Sequence, residues 1–207
     1  SLYSAAPFKH MIITLDASDS IKLYFKNINT GREPEITRSK GRTVYKWEFK
    51  DDDIYDENLA REAYTPAAID FLPMTVISTM KDWSELSAWY WKEFSKNIVS
   101  SEEIKSEAAK ITGDKKGLED KIMVIARYLY DNYRYVAMNL NEHNYEPHPA
   151  NEVFKNKFGD CKDQTVLLIT MLKDVGVEAY PVLVCGQTNG DPASLLPNPW
   201  AFDHLIA

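Results

Sequence analysis

Lys157-Phe158-Gly159-Asp160-Cys161-Lys162-Asp163-Gln164, running directly into Thr165-Val166-Leu167-Leu168-Ile169-Thr170-Met171-Leu172, is the stretch on which the fold of this chain turns. A Gly-Asp turn hands over to a run that is apolar on nearly every face, the pattern of a buried helix. Asp160 stands where an N-cap belongs, and Asp163 sits three residues on, where a capping-box acid belongs. The pattern predicts a helix from Cys161 to about Val175, closed by Gly176, the residue that best tolerates the left-handed conformation after a helix end. Cys161 then falls in the first turn. The backbone N–H groups there lack intrahelical partners and carry a partial positive charge, which eases ionisation of a thiol. Two readings of Cys161 stand side by side. A lone cysteine is commonly a small buried hydrophobe. Its neighbours Asp160, Lys162 and Asp163, however, are charged, which is unusual company for a core position, and this favours a nucleophile.

Downstream, residues 177–185 read as a strand whose apolar run ends at Cys185. A Gly/Asn/Pro-rich connection over 186–199 leads to a second strand, Trp200-Ala201-Phe202-Asp203-His204-Leu205-Ile206. A helix followed by antiparallel strands gives an α+β core. His204 shares one face of that last strand with Phe202 and Ile206, opposite Asp203 and Leu205. A cysteine nucleophile needs a base to hold it as thiolate and then to protonate the leaving group, and histidine suits both steps. If the Cys161 helix packs on this sheet, His204 meets the thiol; the bland alternative is a satisfied strand histidine. Asp203 is badly placed to orient it, because adjacent strand residues point to opposite faces. The orienting acid is expected on a further strand, beyond Ala207.

Upstream, residues 134–157 read as irregular surface chain, polar over 139–144 and interrupted by Pro147 and Pro149. Such a connection ahead of a nucleophile suits a substrate wall. His143 and His148 read as exposed loop histidines without partners. Three helices precede it. Asp82-Trp83-Ser84-Glu85 and Ser100-Ser101-Glu102-Glu103 open two of them as capping boxes, and a third is predicted over 118–133. The aromatic residues Trp83, Trp89, Tyr90, Trp91, Phe94, Tyr128, Tyr130, Tyr133 and Tyr135 are assigned to the core.

Residues 1–50 read as β. Met11-Ile12-Ile13-Thr14-Leu15, Ile21-Lys22-Leu23-Tyr24-Phe25 and Thr43-Val44-Tyr45-Lys46-Trp47-Glu48-Phe49 are strands, with turns at 16–19, 29–31 and 40–42. Alternation puts Tyr45, Trp47 and Phe49 on a buried face. Met74-Thr75-Val76-Ile77-Ser78 is one more strand, leading toward the next unit. The expected organisation is a β-rich domain over 1–65, a linker over 66–82 and a core over 83–207.

Bulk properties narrow the function. The chain has 207 residues, 44% hydrophobic and 27% charged, ordinary for a globular protein. Net charge is −7 with no basic cluster, which argues against nucleic acid or an anionic membrane as principal partner. No apolar run approaches the roughly 20 residues of a membrane span. His10, His143, His148 and His204 form no zinc-like spacing with the two cysteines, so no metal is expected. The chain opens at Ser1, so a processed or trimmed start is expected.

These residues carry a family resemblance. Tyr145-x-Pro147, Phe158-Gly159-Asp160-Cys161-Lys162-Asp163, Leu167-Leu168, Leu172, Gly176-x-x-Ala179-Tyr180-Pro181-Val182-Leu183-Val184 and Phe202-Asp203-His204 together resemble the bacterial transglutaminase-like superfamily. The 83–90 stretch and the β-rich 43–62 region resemble multidomain bacterial proteins in which an N-terminal β-sandwich precedes that core. The resemblance implies part of an antiparallel β-sandwich followed by a papain-like core, truncated at its C-terminus, with the nucleophile helix packed on an antiparallel sheet. It implies Cys161 as nucleophile, His204 as base and the backbone N–H of Cys161 as oxyanion donor, with no cofactor. A side-chain donor upstream is often added in the family; Tyr135 and Asn139 are the candidates here. The implied chemistry is acyl transfer or hydrolysis at a peptide or amide bond through a Cys161 thioester, on a peptide or protein substrate, in a periplasmic or extracytoplasmic setting. Two other readings remain: a transglutaminase-fold module that binds proteins or peptides without catalysis, and a structural domain in which Cys161 is inert. Substrate and oligomeric state are not legible.

Overall fold

The computed structural model describes residues 10–50, 68–71, 74–137, 145–186 and 194–207. In chain order come β1 (His10–Ser18), β2 (Tyr24–Ile28), β3 (Glu35–Ser39), β4 (Arg42–Lys50), α1 (Ala68–Phe71), β5 (Met74–Ser78) and α2 (Trp83–Ser95). There follow α3 (Glu102–Thr112), α4 (Leu118–Asn132), β6 (Arg134–Tyr135), α5 (Ala150–Asn156), β7 (Phe158–Gly159), α6 (Cys161–Asp174), β8 (Val182–Val184), a 3-10 turn (Pro199–Ala201) and β9 (His204–Ile206). The architecture is α+β. The chain divides into two compact units, Ser1–Leu86 with Gln187–Pro199, and Ser87–Gly186 with Trp200–Ala207, so the division falls within α2.

In the first unit β4 lies between β1 and β3, antiparallel to both, while β2 pairs antiparallel with β5. Aromatic residues at alternate positions of β4 give the sheet its buried face, as the alternation predicts. Trp47 is 1% exposed, stacks on Tyr45 at 6.4 Å and meets Phe25 of β2 at 6.2 Å. Three details differ from the sequence reading. Residues 16–18, read as a turn, extend β1, because Asp16, Ala17 and Ser18 pair with Val44, Thr43 and Arg42. The second strand starts at Tyr24 rather than Ile21. β3 is exposed along its whole length, and an edge strand wet on both faces has no hydrophobic alternation to read.

The second unit is built around α6. Val166, Leu167, Ile169, Met171 and Leu172 pack into one core with Tyr90 and Phe94 of α2, Ile104 and Ala108 of α3, Ile125 and Leu129 of α4, Ala150 and Val153 of α5, and Leu205 of β9. Thr170 is buried without loss because its hydroxyl donates to the Val166 carbonyl at 2.7 Å. The helix closes as a Schellman motif: Gly176 has φ +78°, its N–H donates to Lys173 O, and Val177 N–H donates to Leu172 O. Lys121 of α4 donates to the next carbonyl, Val175 O, at 3.0 Å. The buried helix and its glycine stop are thus as the sequence predicts.

The largest departure lies in residues 134–157, expected to be irregular. They contain β6 and α5, and β6 pairs in parallel with β7, Tyr135 opposite Gly159. Pro149 does not break structure here. It is the N-cap of α5, a position where proline's missing N–H costs nothing, and Ala150 and Val153 are carried into the core. Downstream, the two expected strands are shorter than predicted. Trp200 lies in the 3-10 turn, and the Asp203 side chain accepts the Gly186 N–H at 2.8 Å beside the last β8–β9 pair, Val184 with His204.

Gly159 is fixed by close approach. A Cβ there would stand 2.5 Å from Asp163 Cβ and 2.9 Å from its Oδ2. Gly159→Ala is expected to destabilise the protein by about 1–3 kcal/mol, the usual cost of overpacking, measured by urea unfolding against the parent chain.

Candidate functional site

Asp160 and Asp163 form a complete capping box at the start of α6. Asp160 Oδ1 accepts the N–H groups of Lys162 (3.1 Å) and Asp163 (3.3 Å), and Asp163 Oδ2 accepts the Asp160 N–H at 3.4 Å. The second oxygen of Asp160 pairs with the Lys162 ammonium. All three charged neighbours of Cys161 are buried, Asp160 at 6%, Lys162 at 8% and Asp163 at 1% exposure. The charged company that set Cys161 apart from a core position is thus itself buried. These charges are buried because they satisfy one another and the helix start. Cys161 itself is half-buried, and both cysteines are free thiols.

The β6–β7 ladder brings Tyr135 alongside. It sets Tyr135 opposite Gly159, two residues before Cys161, so that the Tyr135 phenol lies close enough to feel the charge of Cys161. The Tyr135 phenol is held above its ordinary pKa, first by burial of the hydroxyl and then by negative charge on Cys161 and Asp160. Of the two candidate upstream donors Tyr135 thus lies near the cysteine, while Asn139 lies outside the described residues. Tyr90, on α2, was read only as core; it is buried, yet burial and then charge on Cys161, Asp160 and Tyr145 push its phenol upward too. Beyond it the rings form a chain: Trp89 meets Tyr145 edge-on at 5.8 Å, and Tyr145 meets Trp200 edge-on at 5.8 Å. Nothing in the periodicity of α2 separates Tyr90 from its core neighbours, so the sequence offered no signal for this.

β9 packs on the Cys161 side of α6. Thr165, one turn below Cys161 on the same face, contacts the Leu205 carbonyl through its hydroxyl at 3.4 Å. The side chain sent into the core is Leu205, which leaves His204 and Ile206 exposed on the other face. The structure brings the two elements together, but no hydrogen bond joins Cys161 to His204. Asp203 is engaged with Gly186. His148 corrects the sequence reading outright. It has a partner, Asp163, which takes both its backbone N–H (2.8 Å) and its ring Nδ1 (3.1 and 3.2 Å). His143 lies outside the described residues, and His10 bonds Glu48 across β1 and β4 at 3.0 Å. Among the described residues no cluster of three His, Cys, Asp or Glu side chains is arranged to hold a metal, and no helix is long and apolar enough to cross a membrane.

Residues 105–195 match the family described as the transglutaminase-like superfamily, a span that includes α6 and its capped cysteine. The match covers a little under half of the chain. No curated protein matches its sequence. A crystal structure of a proposed protease from Parabacteroides distasonis superposes with a TM-score of 0.71 at 16% identity, covering 95% of this chain and 37% of that one. A proposed cysteine protease from Cytophaga hutchinsonii aligns with a TM-score of 0.32 at 13% identity, over 84% of this chain and 56% of that one. The chain therefore spans well under two thirds of either protein, and the first likeness establishes the shared fold. Within the matched span and α2 beside it, the capped cysteine and the phenols near it are the chemically distinctive group.

Tyr90 supplies a test by pH. Its phenol is raised in the folded state, so below the ordinary value of 10.0 folded and unfolded forms hold the proton alike. Above that value the unfolded chain ionises first and stability falls as pH rises. Tyr90→Phe is expected to lose about 1.4 kcal/mol less stability between pH 9 and 11 than the parent, measured by urea unfolding at both.

Proposed function

We propose that the protein is a thiol acyltransferase or hydrolase acting on peptide or amide bonds, with Cys161 as nucleophile. The observation that supports this most is the placing of Cys161 in the first turn of a capped, buried helix, with Tyr135 laddered opposite Gly159 beside it. The Cys161 thiolate attacks the amide carbonyl. The oxyanion that forms takes hydrogen bonds from the Cys161 N–H and the Tyr135 O–H. His204, having held the thiol proton, gives it to the departing amine as the tetrahedral intermediate collapses to a thioester. Water then releases the acid, or a second amine takes the acyl group, and the thiol is regenerated. His204 stands at the start of the strand against the Cys161–Thr165 face, and catalytic hydrogen bonds commonly tighten only with substrate bound. Asp203 is committed to Gly186 and does not orient His204. The Trp89–Tyr145–Trp200 rings suit a wall for a peptide substrate.

A second reading, a non-catalytic module that binds proteins or peptides, draws on the outward position of His204 and the missing Cys161–His204 bond. Thiol alkylation separates the two. Under the catalytic reading iodoacetamide modifies Cys161 well ahead of Cys185 at about neutral pH, and His204→Ala slows that step. Where an amide substrate is turned over, Tyr135→Phe should lower kcat by about 10²-fold, the scale of one oxyanion donor. Equally slow labelling of both cysteines, followed by peptide mass spectrometry, would sink the catalytic reading and favour the module.

A further inference from the structure

We propose that His148 is a positioning residue which, through Asp163, sets the backbone at Cys161. This inference rests on the reading of Cys161 as the nucleophile. Asp163 is 1% exposed, and a carboxylate so deeply buried must be surrounded by donors or by opposite charge. The cation nearest in sequence, Lys162, is committed to Asp160. The compensation for Asp163 comes from His148, whose backbone N–H reaches Oδ1 at 2.8 Å while ring Nδ1 spans both oxygens at 3.1 and 3.2 Å. A carboxylate accepts only, so the ring carries its proton on Nδ1. The same contact holds whether Nε2, on a ring side chain that is 52% exposed, is protonated or not.

Asp163 passes this constraint on. Its Oδ2 accepts the Asp160 N–H, and Asp160 in turn receives the Lys162 and Asp163 N–H groups. The peptide between Asp160 and Cys161, whose carbonyl also accepts the Gln164 N–H at 3.0 Å, is therefore held on both sides, next to the Tyr135–Gly159 ladder. Asp163 has little freedom to settle elsewhere, since its Cβ already fills the place of a Gly159 side chain. Removing the imidazole leaves the buried carboxylate short of a donor, and its easiest relief is to pull on the Asp160 peptide or open toward water. Either movement shifts the Cys161 N–H.

The test uses the intact chain, with Cys185 as the internal reference for iodoacetamide labelling followed by peptide mass spectrometry. His148→Leu is expected to slow Cys161 labelling by about tenfold, the low end for loss of a supporting partner, through the maximal rate rather than the reagent's half-saturation, with Cys185 unchanged. His148→Asn, whose side-chain N–H stands where Nδ1 stood, restores most of that rate; His148→Gln, which reaches the Nε2 position instead, does not. An unchanged Cys161 rate in folded His148→Leu, or an Asn variant as slow as the Leu variant, overturns the proposal. Amide resonances provide an arm independent of reactivity. Asp160 and Cys161 should shift in the Leu variant and return in the Asn variant, and unmoved resonances overturn the proposal even if Cys161 reacts. If the parent labels Cys161 no faster than Cys185, the nucleophile reading fails, and the resonances still decide whether His148 sets this backbone. Should the Leu variant not fold, Asn against Gln carries the comparison.

Discussion

The backbone N–H groups in the first turn of a helix have no partners inside it, and when the helix start is buried, water cannot supply them. The residues from Gly159 to Asp163 answer this constraint. Asp160 takes two of the N–H groups, Asp163 reaches back to the Asp160 N–H, and Gly159 gives up a side chain so that Asp163 can stand there. Once two carboxylates are buried to serve the backbone, their charge must be met as well. Lys162 does so for Asp160, while Asp163 takes hydrogen bonds from the His148 N–H and ring. The positions of five residues thus follow from one requirement.

Buried ionic groups are a poor route to stability, because desolvation cancels most of the Coulomb gain. Their value here lies in geometry. Each of these contacts admits few alternatives, so the first turn of α6 is held in one arrangement while its flank remains open at Cys161. The rest of the helix serves the same end. It is enclosed by α3, α4, α5 and β9 and closed by both a Schellman motif and the Lys121 ammonium. A reactive group needs support that does not yield, and rigid secondary structure with locked neighbours supplies it better than a loop.

What the sequence revealed depended on how local the cause was. The capping box, the helix, its glycine stop and the aromatic face of β4 are written in residues within a few positions of one another, and all were legible. The α5 helix was not, because two prolines near a polar stretch look the same whether they break structure or begin it; burial of Ala150 and Val153 decides, and that is a tertiary fact. β3 hid for the opposite reason, being wet on both faces. In the candidate site, Cys161 was singled out from its cap. His148 was read as a bystander because its partner lies fifteen residues away and is buried, and Tyr90 because a tyrosine in a helical stripe looks like core whether or not its phenol feels nearby charge. Charge beside Cys161 was read as unusual for a core position; its cause is the helix start.

The two sides of the proposed site stand in unequal states of preparation, and the difference has a physical basis. Tyr135 is tied to the loop before Cys161 by a backbone ladder, Tyr135 opposite Gly159, so its phenol is placed beside Cys161 by the fold itself. His204 opens a three-residue strand whose core anchor is its neighbour Leu205, and the pleat that buries Leu205 turns His204 outward. Donors aimed at developing charge are effective only if they are set beforehand, since reorganising them during reaction would cancel their benefit. A base has a laxer requirement. It can be completed by substrate contacts or by an orienting acid from a neighbouring strand, provided its backbone lies close by, as β9 does on the Thr165 face of α6. A resting site with fixed donors and an unengaged histidine is therefore compatible with catalysis. Fixed donors around a thiol also have less reason to exist in a module that only binds.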